Sequence, residues 1–204
     1  MNELFLVLIG SVARDDFSLE SDVDVCRISY SGNVERKSTW PSGPINYVDY
    51  SYGEFIHLYD SGSLFIHHIL NEGILLQGNN KSWEYFRNNF KLKINFNEEL
   101  LKIREISSIF SDINLFDLKY LSMYSNLFTL VKNFSIFYLA NKKKYLFNKR
   151  TAIKLVFGEF HTDLLIDSYN YFERGIVNDK WDYSSKEEAD KILNYYLTLM
   201  EDLY

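Results

Sequence analysis

Cysteine is nearly absent from the chain. Cys26 is the only one among 204 residues, which excludes an internal disulfide and a thiolate zinc cluster and makes a reducing cytoplasm the expected compartment. Proline is almost as rare, with only Pro41 and Pro44, and a Pro-rich linker is excluded with it. Basic charge is also short. The chain has 22 Lys and Arg against 28 Asp and Glu, a net charge of −6. That balance argues against a footprint on a long nucleic-acid duplex, which needs many unopposed cations. It leaves room for a local basic pocket that holds a triphosphate. What the chain does have is apolar and aromatic surface, 47% and 17% of residues, enough for a core and too much for disorder. The opening "MNELFLVLIG" lacks a basic n-region and a small-residue cleavage site, so no signal peptide is expected. Residues 120–140 have bilayer-spanning length. They also carry Lys132, Asn126, Asn133, Ser122, Ser125 and Ser135, polar groups that lipid penalises at mid-span. A buried helix or dimer face is expected there.

Residues 4–9 form a continuous apolar run that ends at Gly10 and predict a buried strand. Gly10-Ser11 makes a turn, and "VARDDF" predicts a single helical turn. Residues 22–30 alternate as D-V-D-V-C-R-I-S-Y, the period of a strand. "SGN" at residues 31–33 predicts a hairpin turn, and residues 45–51 predict a third strand. Helical spacing then runs over residues 53–71, Gly73 stops it, and "ILLQG" reads as a short strand. Apolar residues recur at helical spacing over 100–110, 115–139, 152–160, 164–171 and 189–203. The expected class is α+β. It comprises an N-terminal α/β unit over residues 1–90 and a C-terminal helical bundle over 91–204, the latter for acceptor binding or oligomerisation.

The chemical signal is in "GSVARDDFSLESDVDV", residues 10–25. In a strand, residues i and i+2 share a face. Asp22 and Asp24 therefore project together, while Val23 and Val25 project into the core. Two like charges side by side on a rigid element suit a divalent cation. Asp49, in "INYVDYS", is the candidate third carboxylate because a lone charge among apolar strand residues otherwise needs a reason, the alternative being an exposed Asp on an edge strand. Gly10 lets the backbone approach a phosphate, Ser11 opens the helical turn, and Arg14 lies close enough to help hold an anion. His67 and His68 read as structural residues of an apolar helix. The basic stretch "NKKKYLFNKR", residues 141–150, reads as a solvated helix end or as the flank of a cleft.

This pattern resembles the small bacterial nucleotidyltransferases of the DNA polymerase β superfamily. There a hydrophobic strand precedes Gly-Ser, then Ala-Arg-Gly, then Ser-Asp-x-Asp and a hydrophobic residue. Gly10, Ser11, Ala13, Arg14, Ser21, Asp22 and Asp24 match it, and "VDYSYGEF" resembles the strand with the third carboxylate. "SLFIHHILNEGILLQG" resembles the closing helix and strand, so the likeness spans residues 4–78. Asp15 stands where the family usually has glycine, and no helix precedes the first strand.

The resemblance implies a mixed sheet and two Mg²⁺ ions, replaceable by Mn²⁺, on Asp22, Asp24 and Asp49. It also implies phosphate binding by Gly10, Ser11, Arg14 and Ser21, and transfer of a nucleoside monophosphate from an NTP or dNTP to a hydroxyl with release of pyrophosphate. The acceptor is open between another nucleotide, as in anti-phage signal synthesis, a drug hydroxyl and a protein hydroxyl such as Tyr204. A non-catalytic, antitoxin-like member is the alternative. A calcium loop lacks its glycine and third acid at the required spacing. A sugar-nucleotide transferase leaves Gly10-Ser11 unexplained. The aromatic content of residues 115–139 predicts a homo-oligomer.

Overall fold

The structure is a computed structural model that describes residues 4–19, 21–116, 120–177 and 185–203. Its contacts divide the chain into two compact units, Met1–Ile94 and Asn95–Tyr204.

The first unit is built on β1 (Phe5–Ile9), whose five side chains are all buried. An unbroken apolar run suits a central strand covered on both faces, and β1 has a neighbour on each side in a sheet of order β3-β2-β1-β4. β2 (Val23–Ile28) runs antiparallel to β1, and β3 (Ile45–Tyr50) runs parallel to β2. β4 (Ile74–Gln77) is antiparallel to β1, so the sheet is mixed and the fold is α+β. On one face Phe5, Val7, Ile9, Cys26 and Ile28 pack against three helices. These are α2 (Tyr52–Asp60), α3 (Leu64–Glu72) and α4 (Asn80–Asn89), through Phe55, Ile66, Ile69, Leu70, Trp83 and Phe86. On the other face Leu6, Leu8, Val23 and Val25 pack with Val12 under Phe17, Tyr30, Val34, Trp40 and Tyr47.

Two local expectations change, and one helix is added. The "SGN" turn is not a hairpin, because β2 and β3 are parallel. Parallel strands need a long connection, and residues 29–44 provide it as a loop. Arg27 Nη1 donates to Gly32 O at 3.0 Å, and Val34 N donates to the Tyr47 hydroxyl at 2.9 Å. The Arg36 guanidinium donates to the carbonyls of Pro41 and Gly43. The helix expected over 53–71 is split at Gly62, at φ +69°, where a Cβ would stand 2.5 Å from Lys93 N. Ser51 and Glu54 close a capping box at the start of α2. Finally, α4 is a mostly polar helix whose Trp83 and Phe86, three residues apart, cover Phe5.

The short helix α1 (Gly10–Arg14) ends without a glycine; its C-cap is Asp15 at φ +60°, ψ +28°. A left-handed residue strains a side chain with a Cβ, and Asp tolerates it better than most. Asp15→Gly is expected to raise stability by a few tenths to about 1 kcal/mol, read as a higher thermal midpoint.

The second unit holds α5 (Asn97–Ser107), two 3₁₀ turns (Ser108–Ser111 and Ile113–Phe116), α6 (Tyr120–Asn141), α7 (Lys149–Phe157), α8 (Thr162–Arg174) and α9 (Lys186–Asp202). Met123, Tyr124, Leu127, Phe128, Val131 and Phe134 of α6 are buried with Ile153, Phe157, Leu165, Ile192 and Tyr196 of the other helices. The aromatic stripe is therefore consumed within this unit. No described helix is long and apolar enough to cross a membrane. Ser135 illustrates why a polar residue is tolerated in α6: its hydroxyl donates to Val131 O at 2.7 Å.

Candidate functional site

The site begins where β1 ends. Ile9 pairs with Asp24 across the antiparallel ladder. The chain then turns at Gly10 with φ +74°, and a Cβ there would stand 2.6 Å from Asp24 Oδ2. Only glycine permits both the backbone angle and the carboxylate lying on the turn. Ser11 follows, half-buried, in the first turn of α1, with its carbonyl accepting from Asp16 N at 3.0 Å. The Gly-Ser turn and the Asp-x-Asp segment, apart in sequence, are thus in contact.

Asp22 lies one residue before β2 rather than inside it. Val23 N donates to Pro44 O at 3.0 Å and carries the parallel pairing to this point. Gly43 lies against the backbone of Ser21 and Asp22, where a Cβ would meet Ser21 O at 2.5 Å. Asp22 and Asp24 are both half-buried at this end of the sheet. Ser21 is turned to another use. Its Oγ accepts from Ser18 N at 2.9 Å and lies 3.3 Å from Ser18 Oγ, closing the loop that leads into β2. Arg14 donates from Nε to Asp16 Oδ2 at 3.1 Å and from Nη1 to Glu72 Oε2 at 3.5 Å.

Asp49 is not brought to this cluster. It pairs with Arg27 in the β2–β3 register and takes a two-point ion pair from it, Nε to Oδ1 at 2.5 Å and Nη2 to Oδ2 at 2.7 Å. Arg27 also lies over the Tyr47 ring, 4.0 Å from its centroid. Arg27 and Tyr47 belong to the face of Val23 and Val25, whereas Asp24 belongs to the face of Cys26 and Ile28. Adjacent β residues point to opposite faces, so Asp49 and Asp24 look away from each other across the sheet. The β3 residue beside Asp24 is Asn46, which is exposed.

The Arg27 hydrogen bond holds the Asp49 carboxyl below the usual carboxylate range, against a smaller opposing effect of burial. A depressed carboxyl adds stability above its unfolded pKa and loses it as pH falls through the folded value. Asp49→Asn should therefore flatten the acid limb of the stability profile below about pH 4, measured by thermal melts between neutral and acid pH. Because Asp49 faces away from Asp24, the same variant is expected to keep any activity of the Asp22–Asp24 site within severalfold. Cys26 is inert: burial, with a smaller contribution from the Asp49 charge, pushes its thiol up to about 12.

Among the described residues no group of three or more His, Cys, Asp or Glu side chains could hold a metal ion. Of the three candidate carboxylates, Asp22 and Asp24 stand at this end of the sheet, and Asp49 faces away from Asp24. Asp22 and Asp24 would be the residues to hold a Mg²⁺ of the kind that keeps its waters and is shared between one or two carboxylates and a substrate's phosphates.

Sequence reasoning missed Glu72 and read His68 only as a structural residue. Their i, i+4 spacing on α3 was legible, but their approach to Arg14 depends on how α3 docks beside β1. Compared with known proteins, the chain matches no family model, no curated protein and no solved structure.

Proposed function

We propose that the chain transfers a nucleoside monophosphate from an NTP or dNTP to a hydroxyl acceptor and releases pyrophosphate. The observation that carries this reading is the contact of Gly10 with Asp24 Oδ2. It joins a turn that a phosphate can approach closely to a carboxylate that can share a cation with that phosphate. Asp22 and Asp24 would hold Mg²⁺, which supplies charge neutralisation at the phosphates. The turn at Gly10 and Ser11 offers backbone N–H groups to the β and γ phosphates, and Arg14 adds a cation. The acceptor oxygen forms the new bond to the α-phosphorus as the bond to pyrophosphate breaks. Catalysis of this kind rests on positioning and electrostatics. The acceptor is a nucleotide, a small-molecule hydroxyl or a protein hydroxyl. Tyr204, the protein candidate, lies outside the described residues. Short oligonucleotide products suit an acidic chain better than extension of a long duplex, and a lone buried thiol suits the cytoplasm.

One observation favours a second reading. Asp49 is occupied by Arg27, and Asn46 stands beside Asp24, so the site can bind a nucleotide without turning it over, as an antitoxin-like member would. Incubation with each NTP and dNTP plus Mg²⁺ separates the two. Pyrophosphate release with a new adduct or oligonucleotide supports transfer. Nucleotide binding with no pyrophosphate supports the second reading, and the absence of both rejects the site.

A further inference from the structure

Glu72 and His68 flank the same turn and have no part in the reading above. Glu72 ends α3, two residues before Ile74, the β4 partner of Leu8. The strand order sets β2 and β4 on opposite sides of β1, so Asp24 of β2 and the α3–β4 junction flank the end of β1. The junction is closely packed, since a Cβ on Gly73 would meet Ile69 O at 2.2 Å and Val7 Cγ1 at 2.7 Å. The end of β1 therefore has Asp24 on one flank and Glu72 on the other, with α1 rising between them. Glu72 Oε2 accepts from two donors, His68 Nδ1 at 3.0 Å and Arg14 Nη1 at 3.5 Å. The His68 side chain is only 8% exposed, so it is a fixed support, and its bond to the carboxylate selects the tautomer with the proton on Nδ1. Arg14 is clamped from the other side by Asp16. These bonds use one N–H at Nε and one at Nη1 of the five in a guanidinium, which leaves the Nη2 edge for a ligand.

We infer that Glu72, braced by His68, is a positioning residue that fixes the Arg14 guanidinium beside the Gly10–Ser11 turn to receive the triphosphate of a nucleotide. This rests on the nucleotide reading and adds to it which side chains aim the cation. A flexible arginine pays side-chain entropy on binding an anion, and one already held loses less. The sign of the effect is diagnostic. A carboxylate near an anion site repels the anion, so if Glu72 acted only by its charge, neutralising it would tighten binding. If it acts by holding Arg14, neutralising it weakens binding.

The test is calorimetric titration of the full chain with sodium tripolyphosphate, and with ATP, in the absence of metal. Arg14→Ala should weaken both roughly tenfold, the scale of a charge-assisted hydrogen bond. Glu72→Ala should do nearly the same, and Glu72→Gln and His68→Gln should weaken binding by about threefold or more. The double variant Arg14→Ala/Glu72→Gln should bind no worse than Arg14→Ala, because Glu72 acts through Arg14. Circular dichroism melts confirm that the Gln variants fold. Unchanged or tighter binding in Glu72→Gln, or losses that add in the double variant, overturns the positioning role and leaves the nucleotide site standing. A wild-type chain that binds neither probe overturns the nucleotide site and this inference together.

Discussion

Asp24→Asn is expected to remove the proposed nucleotidyl transfer, lowering kcat by roughly a thousandfold or more, and to leave the fold intact. The magnitude follows from the several kcal/mol that a cation held at the phosphates contributes to the transition state. The fold survives because Asn keeps the shape that lies against Gly10 and the backbone pairing of position 24 with Ile9 and Asn46. Asp22→Asn should behave the same way, since position 22 sits ahead of β2 in a segment held by backbone contacts to Gly43 and Pro44. Asp49→Asn is the internal contrast: its partner is Arg27, on the other face of the sheet. Pyrophosphate release and unfolding midpoints for the three variants decide the matter. Full activity in Asp24→Asn, or in wild type with excess EDTA, sinks the proposed reaction. Equal loss in all three variants would mean that Asp49 reaches the site after all.

What was readable in the sequence divides cleanly by range. β1 and β2 were legible because a continuous apolar run and a period-two alternation are local patterns. The Asp22–Asp24 pair was legible for the same reason, although Asp22 falls just outside the strand. The role given to Asp49 depended on something no local pattern encodes, the register of β3 on β2. A slip of one residue sends every side chain to the opposite face, and the observed register sets Asn46, not Asp49, beside Asp24. The misread hairpin has the same origin. "SGN" has turn chemistry, but whether the chain returns antiparallel or crosses over is a tertiary decision. Here Tyr47 and Arg36 hold the crossing loop. α4 escaped notice because only Trp83 and Phe86 carry its buried stripe. In the second unit the long period-3.6 run of α6 was legible. That its buried aromatics pack with α7, α8 and α9 could be known only from the packing.

Gly10→Val is expected to damage both the fold of the first unit and the proposed site. Position 10 has φ +74°, a region where a Cβ costs about 1–2 kcal/mol and a β-branched side chain costs more. To that is added a steric clash, because a Cβ would stand 2.6 Å from Asp24 Oδ2 and 3.4 Å from Asp24 Cβ. Overpacking of this kind adds roughly 1–3 kcal/mol. Gly10→Ala isolates the two contributions. It should lose about 2–4 kcal/mol in denaturant melts, together with most of the transfer activity, since Asp24 must turn away to make room. Adding Asp24→Ala to Gly10→Ala should return about 1 kcal/mol or more of that stability, the part due to the clash, while the backbone strain remains. Activity should not return. If the two losses are additive, Gly10 and Asp24 are not in contact, and the geometry on which the proposed site rests is wrong.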